Sequence, residues 1–324
     1  MTNWTTSDIP SQKGRTAVVT GTSGLGYEDA LALVRAGGAI VLAGRDARKG
    51  ADAVSRIQGV IPGGDIRFEK LDLADRISIA AFAKRLARRQ DSLDLLINNA
   101  GVMLPPQRRV TADGFELQFG TNYLGHFALT AHLLPLLRKG RDPRVISLSS
   151  VAAPSGAIDF DNLNAEHSYK AMSAYSQSKL ACLMFAFELQ RRSEAGGWGV
   201  TSIAAHPGVS RTDLLHNGPG RWSVHGLARS LLPFLFQPAA QGALPTLYAA
   251  TSPKAKGGGY YGPDRLSETR GYPAAAKIPP QALDGAVAAR LWEVSETLIG
   301  VRFNTDISGV LTLPGAENMI AAAA

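Results

Sequence analysis

Six short apolar runs, rich in β-branched residues, recur along the chain: Thr16-Ala17-Val18-Val19-Thr20, Ile40-Val41-Leu42-Ala43, Ile66-Arg67-Phe68-Glu69, Leu93-Asp94-Leu95-Leu96-Ile97, Val145-Ile146-Ser147-Leu148 and Val200-Thr201-Ser202-Ile203-Ala204. Each has the length and composition of a strand. Between and after them, segments of roughly 25–37, 46–58, 75–90, 112–138 and 174–195 place apolar residues at helical spacing and are rich in Ala and Leu, which predicts a helix in each. Strand and helix in strict alternation imply an α/β chain with a parallel, doubly wound sheet and helices on both faces. A weaker strand near Gly259-Tyr260-Tyr261 and a helix from about Leu283 to Leu298 complete the pattern. No repeat or low-complexity linker divides it, so a single domain is expected over 13–300, with an arm at 1–12 and a tail at 301–324.

Two regions break the alternation. Val151 to Ala174 is rich in Pro, Gly, Asp and Asn, whereas Thr212 to Pro238 joins a Gly-Pro-Gly turn to the apolar run Leu231-Leu232-Pro233-Phe234-Leu235-Phe236. Both follow the carboxyl ends of strands, where open α/β sheets bind ligands. The first (151–174) is expected to border a substrate entrance and the second (212–238) to cover it as a lid, although a segment of ordinary core has the same apolar pattern.

Composition sets limits. With 45% hydrophobic residues in 324, the chain can bury a full globular core. Lys and Arg outnumber Asp and Glu, 34 to 27, for a net charge of +7. The basic residues nevertheless sit in small groups, such as Arg85, Arg88 and Arg89, or Arg138, Lys139 and Arg141, without aromatic interleaving. Nucleic acid is therefore not an expected partner. The single Cys182 excludes an intramolecular disulfide framework and a cysteine metal cluster, which points to a reducing, cytoplasmic setting and to no metal. Core packing is its expected role. Met1 to Asp8 carries neither a charged n-region nor an apolar stretch, and no window approaches ~18 uncharged apolar residues, so neither an export signal nor a membrane span is expected.

The candidate chemistry begins directly after the first strand. Thr20-Gly21-Thr22-Ser23-Gly24-Leu25-Gly26 opens a helix, and glycines at such a turn let the backbone approach a pyrophosphate held by the helix N-terminus. No Gly-Lys-Ser/Thr ending follows, which excludes a nucleoside-triphosphatase loop. After the second strand, Gly44 takes the strand-end position and Arg45 follows. An Arg there makes charge-assisted bonds to a 2′-phosphate, favouring NADP(H) over NAD(H). Asp46, twenty positions beyond Gly26, keeps the NAD(H) reading open, although it serves equally well as the N-cap of the next helix. Arg48 and Lys49 add positive charge nearby. Farther along, Tyr175 and Lys179 lie four residues apart on one helix face, giving a phenol an ammonium that eases transfer of its proton. Taken alone that spacing is weak, since a chain with 8 Tyr can contain it by accident.

Taken in order, these residues together with Asp72-Leu73, Asn98-Asn99-Ala100-Gly101, Asn122, Ser149-Ser150 and Pro207-Gly208 leading to Thr212 resemble the short-chain dehydrogenase/reductase family over about residues 13–300. The chain looks most like the retinol-dehydrogenase-like branch, from Asn122-Tyr123-Leu124-Gly125-His126-Phe127, Ala174-Tyr175-Ser176-Gln177-Ser178-Lys179-Leu180 and His206-Pro207-Gly208-Val209-Ser210-Arg211-Thr212. The resemblance implies a single-domain Rossmann-type fold and an NAD(P)-dependent oxidoreductase that interconverts a ketone or aldehyde and an alcohol. It implies that Ser150 bonds the substrate carbonyl oxygen, that Tyr175 is the general acid or base, that Lys179 assists it and binds the nicotinamide ribose, and that Asn122 supports a water in the proton relay. Ser149 is set aside because neighbouring strand residues point to opposite sides. On the cofactor side it implies that Gly21, Thr22, Ser23, Gly24, Leu25 and Gly26 hold the pyrophosphate. Asp72 and Leu73 would approach the adenine, and Asn98, Asn99, Ala100 and Gly101 would line the adenosine side. Pro207, Gly208 and Val209 would shape the nicotinamide pocket, and Thr212 would reach the carboxamide or phosphates. His206 is read as structural, because the family's acid is the tyrosine.

Two departures from the family pattern stand out. Only Thr22 and Ser23 separate Gly21 from Gly24, one residue fewer than the family's turn. Ser150 and Tyr175 lie 25 positions apart, farther than in compact members, though the retinol-dehydrogenase-like branch has a similar insertion. Asp159-Phe160-Asp161-Asn162-Leu163 is therefore expected at the substrate entrance. The expected substrate is a small carbonyl or alcohol compound with a bulky apolar body, and the long Ala/Leu-rich Tyr175 helix is compatible with a homodimer or homotetramer. The alternative function is a non-catalytic NAD(P)-binding redox-sensing scaffold, which would not need Ser150, Tyr175 and Lys179.

Overall fold

Consecutive residues of the first strand bury on opposite sides: Val18 joins one apolar cluster, Ala17 and Val19 the other, as the two-residue period of a strand requires. Both faces of the sheet are therefore core. The computed structural model describes residues 3–210 and 237–303. Among them are eight strands, β1 (Thr16–Thr20), β2 (Ala39–Gly44), β3 (Ile66–Lys70), β4 (Leu95–Asn98), β5 (Arg144–Leu148), β6 (Thr201–Ala205), β7 (Tyr260–Arg265) and β8 (Arg270–Ala275). They form one sheet in the order β3-β2-β1-β4-β5-β6-β7-β8. All neighbours are parallel except β7 and β8.

Besides a single helical turn at Ala239–Gly242, seven longer helices complete the described layers: α1 (Leu25–Arg35), α2 (Ala47–Val60), α3 (Arg76–Ala87), α4 (Gly125–Leu137), α5 (Ala171–Gly196), α6 (Leu244–Thr251) and α7 (Gly285–Ile299). Leu33, Ile57 and Leu247 fasten α1, α2 and α6 to one face, and Phe82, Phe127, Phe185 and Trp292 fasten α3, α4, α5 and α7 to the other. This is the single-domain, doubly wound Rossmann-type architecture the alternation predicts. β1 leads outward to β2 and β3, and the chain then returns to place β4 on β1's other side. The split between β1 and β4 is the topological switch point, where such sheets bind ligands.

Three elements depart from the sequence expectation. The helix expected over 112–138 starts later: Val110 and Glu116 form an antiparallel bridge around a turn at Gly114, whose φ is +86°. A π-helix then runs Phe119–Leu124 before α4. The strand β8 and the helix α6 were not anticipated. β8 contains Gly271 and Pro273 and pairs only with β7, and a sheet edge tolerates such poor strand formers. α6 is eight residues with Pro245 near its start, too short to show a clear helical period.

Chain distant in sequence holds the long connection before α5. Gln177 accepts the Asp159 amide at 3.0 Å and donates to the Leu163 carbonyl at 3.1 Å, and the Tyr169 hydroxyl donates to the Pro105 carbonyl at 2.7 Å. α5 also packs against α7. Phe185 stacks on Trp292 with ring centroids 5.7 Å apart, Arg192 lies 4.6 Å over the same ring, and Tyr123 and Ser295 share a 2.7 Å hydrogen bond between their hydroxyls. Trp4 of the N-terminal arm meets Tyr248 edge-on at 5.4 Å. The expected lid lies outside the described residues except for Gln237 and Pro238, as does the tail beyond Phe303.

One core position opposes the fold. Asp29 on α1 has no exposure, and neither carboxylate oxygen has a hydrogen-bond partner. Burial raises its pKa well above the usual carboxylate range, and neighbouring Glu28 adds to the rise. A folded-state pKa above the unfolded one makes folding take up a proton. The stability this provides is complete below about pH 4 and is lost as the pH climbs towards the folded value. Asp29→Val, which removes the unpaired carboxylate, is therefore expected to be about 1–3 kcal/mol more stable than the parent at neutral pH. Thermal unfolding from pH 5 to pH 8 should show the gap widening with pH, and a constant gap would contradict the assignment.

Candidate active site

Thr20 ends β1 at the switch point, and its side chain faces β4. Its hydroxyl accepts the amides of Asn99 at 2.9 Å and Ala100 at 3.0 Å, and its carbonyl accepts the Asn99 side-chain amide at 2.7 Å. The Asn99 side chain thus floors the glycine turn. A Cβ on Gly21 would stand 2.8 Å from Asn99 Nδ2, and one on Gly26 would overlap the Gly21 carbonyl. Gly21 has φ +98° and Gly24 φ +55°, backbone that glycine adopts without strain.

Helix capping separates α1 from α2, α3 and α7, although α4, α5 and α6 also begin without a side-chain cap. Asp46 caps α2 by accepting the Arg48 and Lys49 amides, Asp75 caps α3, and Asp284 caps α7. Gly24 at the start of α1 supplies no capping side chain. The first-turn amides and dipole of α1 are therefore available to an anion, in the place where a dinucleotide's phosphates would sit. Thr22 and Ser23 lie in this turn, and Leu25 opens α1.

At the end of β2, Gly44 has no side chain, and a Cβ there would meet the Thr22 methyl at 2.9 Å. Arg45 beside it is exposed. The Asp46 carboxylate is held below its usual pKa range, chiefly by the Lys49 amide. Asp72 accepts the Ala74 amide at 2.9 Å, and its own amide donates to Ser78. Leu73 is buried, its carbonyl against Gly125.

A second group converges at the ends of β4 and β5. A Cβ on Gly101 would lie 3.1 Å from Asn122 Oδ1 and 3.7 Å from Lys179 Nζ. Lys179 Nζ donates to the Leu148 carbonyl at 3.0 Å, two residues before Ser150. Asn122 lies in the π-helix, an element often found at functional sites. Its side chain clamps Val102, accepting the amide at 2.7 Å and donating to the carbonyl at 3.0 Å, and it also donates to Ser178 at 3.0 Å. Tyr175 is 4% exposed, one turn before Lys179, and Ser150 Oγ accepts the Ala152 amide at 3.2 Å. Ser149 instead donates to the Lys179 carbonyl at 2.8 Å. Cys182, its thiol pushed up in pKa by burial, donates to the Asn122 carbonyl at 3.2 Å.

The loop after β6 is fastened to the β7–β8 hairpin. The Gly208 amide donates to His206 Nδ1 at 3.3 Å, which makes that nitrogen the acceptor and leaves Nε2 to donate to Glu268 at 3.1 Å. The His206 bond lowers the pKa of Glu268. Val209 donates to the Thr269 carbonyl and Gln237 to the Val209 carbonyl, while Ser210 and Gln237 side chains both donate to Pro207. Gly208 has φ +62° and packs on the Thr269 carbonyl. Thr212 lies outside the described residues.

Sequence reasoning gave no role to Thr20 or Gln177 as hydrogen-bonding residues, nor to His126. A polar residue inside a mostly apolar run, as His126 is within Gly125–Leu137, was the available signal, shared with Thr130 and His132. Asn98 Oδ1 and Ser147 Oγ are buried without protein partners, and both residues line the same small cavity as Asn122, His126 and Cys182.

Comparison with known proteins adds a family context. The short chain dehydrogenase family model matches residues 15–219. Retinol dehydrogenase 13 of Mus musculus is 41% identical over 297 residues, spanning 89% of this chain and 84% of that protein. Polyprenol dehydrogenase of Mus musculus is 40% identical over 298 residues, spanning 90% and 86%. Among solved structures, an uncharacterized protein from Mycobacterium Paratuberculosis superposes with TM-score 0.78 at 39% identity, covering 94% of this chain and all of that one. The Pseudomonas aeruginosa RhlG/NADP active-site complex superposes with TM-score 0.61 at 25% identity, covering 77% and 94%.

The Asn122 clamp has a measurable consequence. Asn122→Ala leaves the Val102 amide and carbonyl without their partner, and denaturant unfolding should show a loss of about 1–3 kcal/mol.

Proposed function

The chain belongs to the short-chain dehydrogenase family, in its retinol-dehydrogenase-like branch, and is an NAD(P)-dependent oxidoreductase acting between alcohols and carbonyls. On that premise we propose that it is an NADP(H)-preferring enzyme in which Tyr175 handles the proton and the substrate has a bulky apolar body. The convergence of Gly101, Asn122 and Lys179 beside the Tyr175 turn and the end of β5 carries this reading.

Bound nicotinamide supplies or accepts a hydride at C4. The protein's own residues do the rest. In reduction, Ser150 donates a hydrogen bond to the carbonyl oxygen and Tyr175 gives that oxygen its proton, and oxidation reverses both steps. Lys179 places its side-chain nitrogen one turn from the phenol, and Asn122 fixes the Val102 backbone next to Gly101. The uncapped α1 N-terminus receives the phosphates.

Support for NADP(H) comes from the end of β2. A carboxylate that would pair with ribose hydroxyls is missing at Gly44, the next carboxylate caps α2, and Arg45 is exposed beside the glycine turn. Support for an apolar substrate comes from Val151 and Met172, large side chains 39% and 43% exposed near Ser150 and Tyr175. The names of two relatives, a retinol and a polyprenol dehydrogenase, agree with it. The lone, buried Cys182 supports a reducing cytoplasmic setting, and no described helix is long and apolar enough to cross a membrane.

Tyr175→Phe is expected to cut kcat by at least about a hundredfold while leaving NADPH affinity within a few-fold. Unchanged turnover across a panel of ketones and aldehydes would refute the mechanism, and saturating NADPH binding by the parent without reduction of any carbonyl would favour the redox-sensing scaffold. Arg45→Ala should weaken NADPH by about tenfold and leave NADH nearly unchanged in calorimetric titration. Tighter binding of NADH than NADPH by the parent would overturn the preference.

A further inference from the structure

His126 sits on α4, behind both halves of the site, and is 4% exposed. Its Nδ1 lies 2.8 Å from the Asn122 carbonyl, which can only accept, so Nδ1 carries the ring's proton and Nε2 is an acceptor. Nε2 lies 2.9 Å from the Thr20 hydroxyl. That hydroxyl already accepts two amides, from Asn99 and Ala100, and has one proton to give. The Ile97 carbonyl is the other candidate, at 3.2 Å. The shorter contact, to a nitrogen that needs a donor, takes the proton. Hydrogen bonds therefore run in one direction from the Asn99 and Ala100 amides through Thr20 and His126 to the Asn122 carbonyl.

We propose that His126 is a positioning residue that couples the glycine turn of the nucleotide site to the π-helix carrying Asn122. This rests on the functional reading above. The coupling has a physical route at each end. Toward the cofactor, Thr20 fixes Asn99, whose side chain floors Gly21 and Gly26. Toward the reacting centre, Asn122 fixes Val102 and faces Gly101 and, beyond it, Lys179.

The ring must be neutral for the relay to hold. Protonated, its Nε2 would point a second N–H at an oxygen whose lone pairs are taken. Burial above all, helped by the Lys179 charge and opposed by the bond to Asn122, pushes the His126 pKa down to about 4. The imidazole therefore stays neutral beside the ammonium at any ordinary working pH.

His126→Phe keeps an aromatic ring, slightly larger, and removes both bonds. The expected result is an NADPH dissociation constant raised between about ten- and a hundredfold by fluorescence titration, with kcat lowered in the same range. Hydrogen exchange should speed up at the Asn99 and Ala100 amides. Thr20→Val should give the same pattern, and the double variant should be little worse than either single one, because both cut one chain. NADPH affinity and amide exchange within twofold of the parent, or additive effects of the two substitutions, would overturn the inference. Should His126→Phe not fold, unchanged NADPH affinity in both His126→Gln and Thr20→Val overturns it equally. A parent protein that binds no NADP(H) would sink the functional reading itself, whereas a fully active parent with fully active variants sinks only the role of His126.

Discussion

The site depends on how one hydroxyl is shared at the gap between β1 and β4. A doubly wound sheet must reverse its order of growth somewhere, and the two strands on either side then lead their chains apart. Thr20 closes the top of that gap with contacts to Asn99, Ala100 and His126. The crevice opens above it, with the glycine turn on one side and Gly101 on the other. Geometry at this point is set by hydrogen bonds in a buried setting, where an unpaired group is costly and partners are therefore definite.

Electrostatics follows the same division. Three of the helices, α2, α3 and α7, carry an aspartate cap at their N-termini. α1, which points at the crevice, begins on a glycine that contributes no side chain. Its positive end is left to an anion. The π-helix has a comparable effect on the opposite wall, where it breaks the regular helix at Asn122 and brings that residue's side chain against Val102.

Much of the fold was legible because it is periodic. The apolar runs at 16–20, 40–43 and 145–148 became β1, β2 and β5 with little change, since strand burial on both faces demands continuous apolar residues. The late start of α4, the edge strand β8 and the short helix α6 were not legible. Gly114 turns the chain where local composition still reads as helix, and β8 is a strand only because β7 offers it an edge. Of the candidate site, the glycine turn, Tyr175 and Lys179 could be marked from residue type and spacing, and Asn122 from the family resemblance. Their company could not: Thr20 and His126 are 106 positions apart and Asn122 and Ser178 are 56 apart.

By itself the sequence determined the order of strands and helices, the glycines that a tight turn needs, and the residue types able to move a proton. These follow from local periodicity and backbone sterics, which each short segment carries with it. The folded structure decided which partners the polar residues meet. Asp46 caps α2 with its carboxylate, Ser149 turns toward the α5 backbone, and His126 becomes a bridge between the end of β1 and the π-helix. The reason is that a polar side chain takes its role from the partner it meets once water is excluded, and folding is what brings that partner within reach.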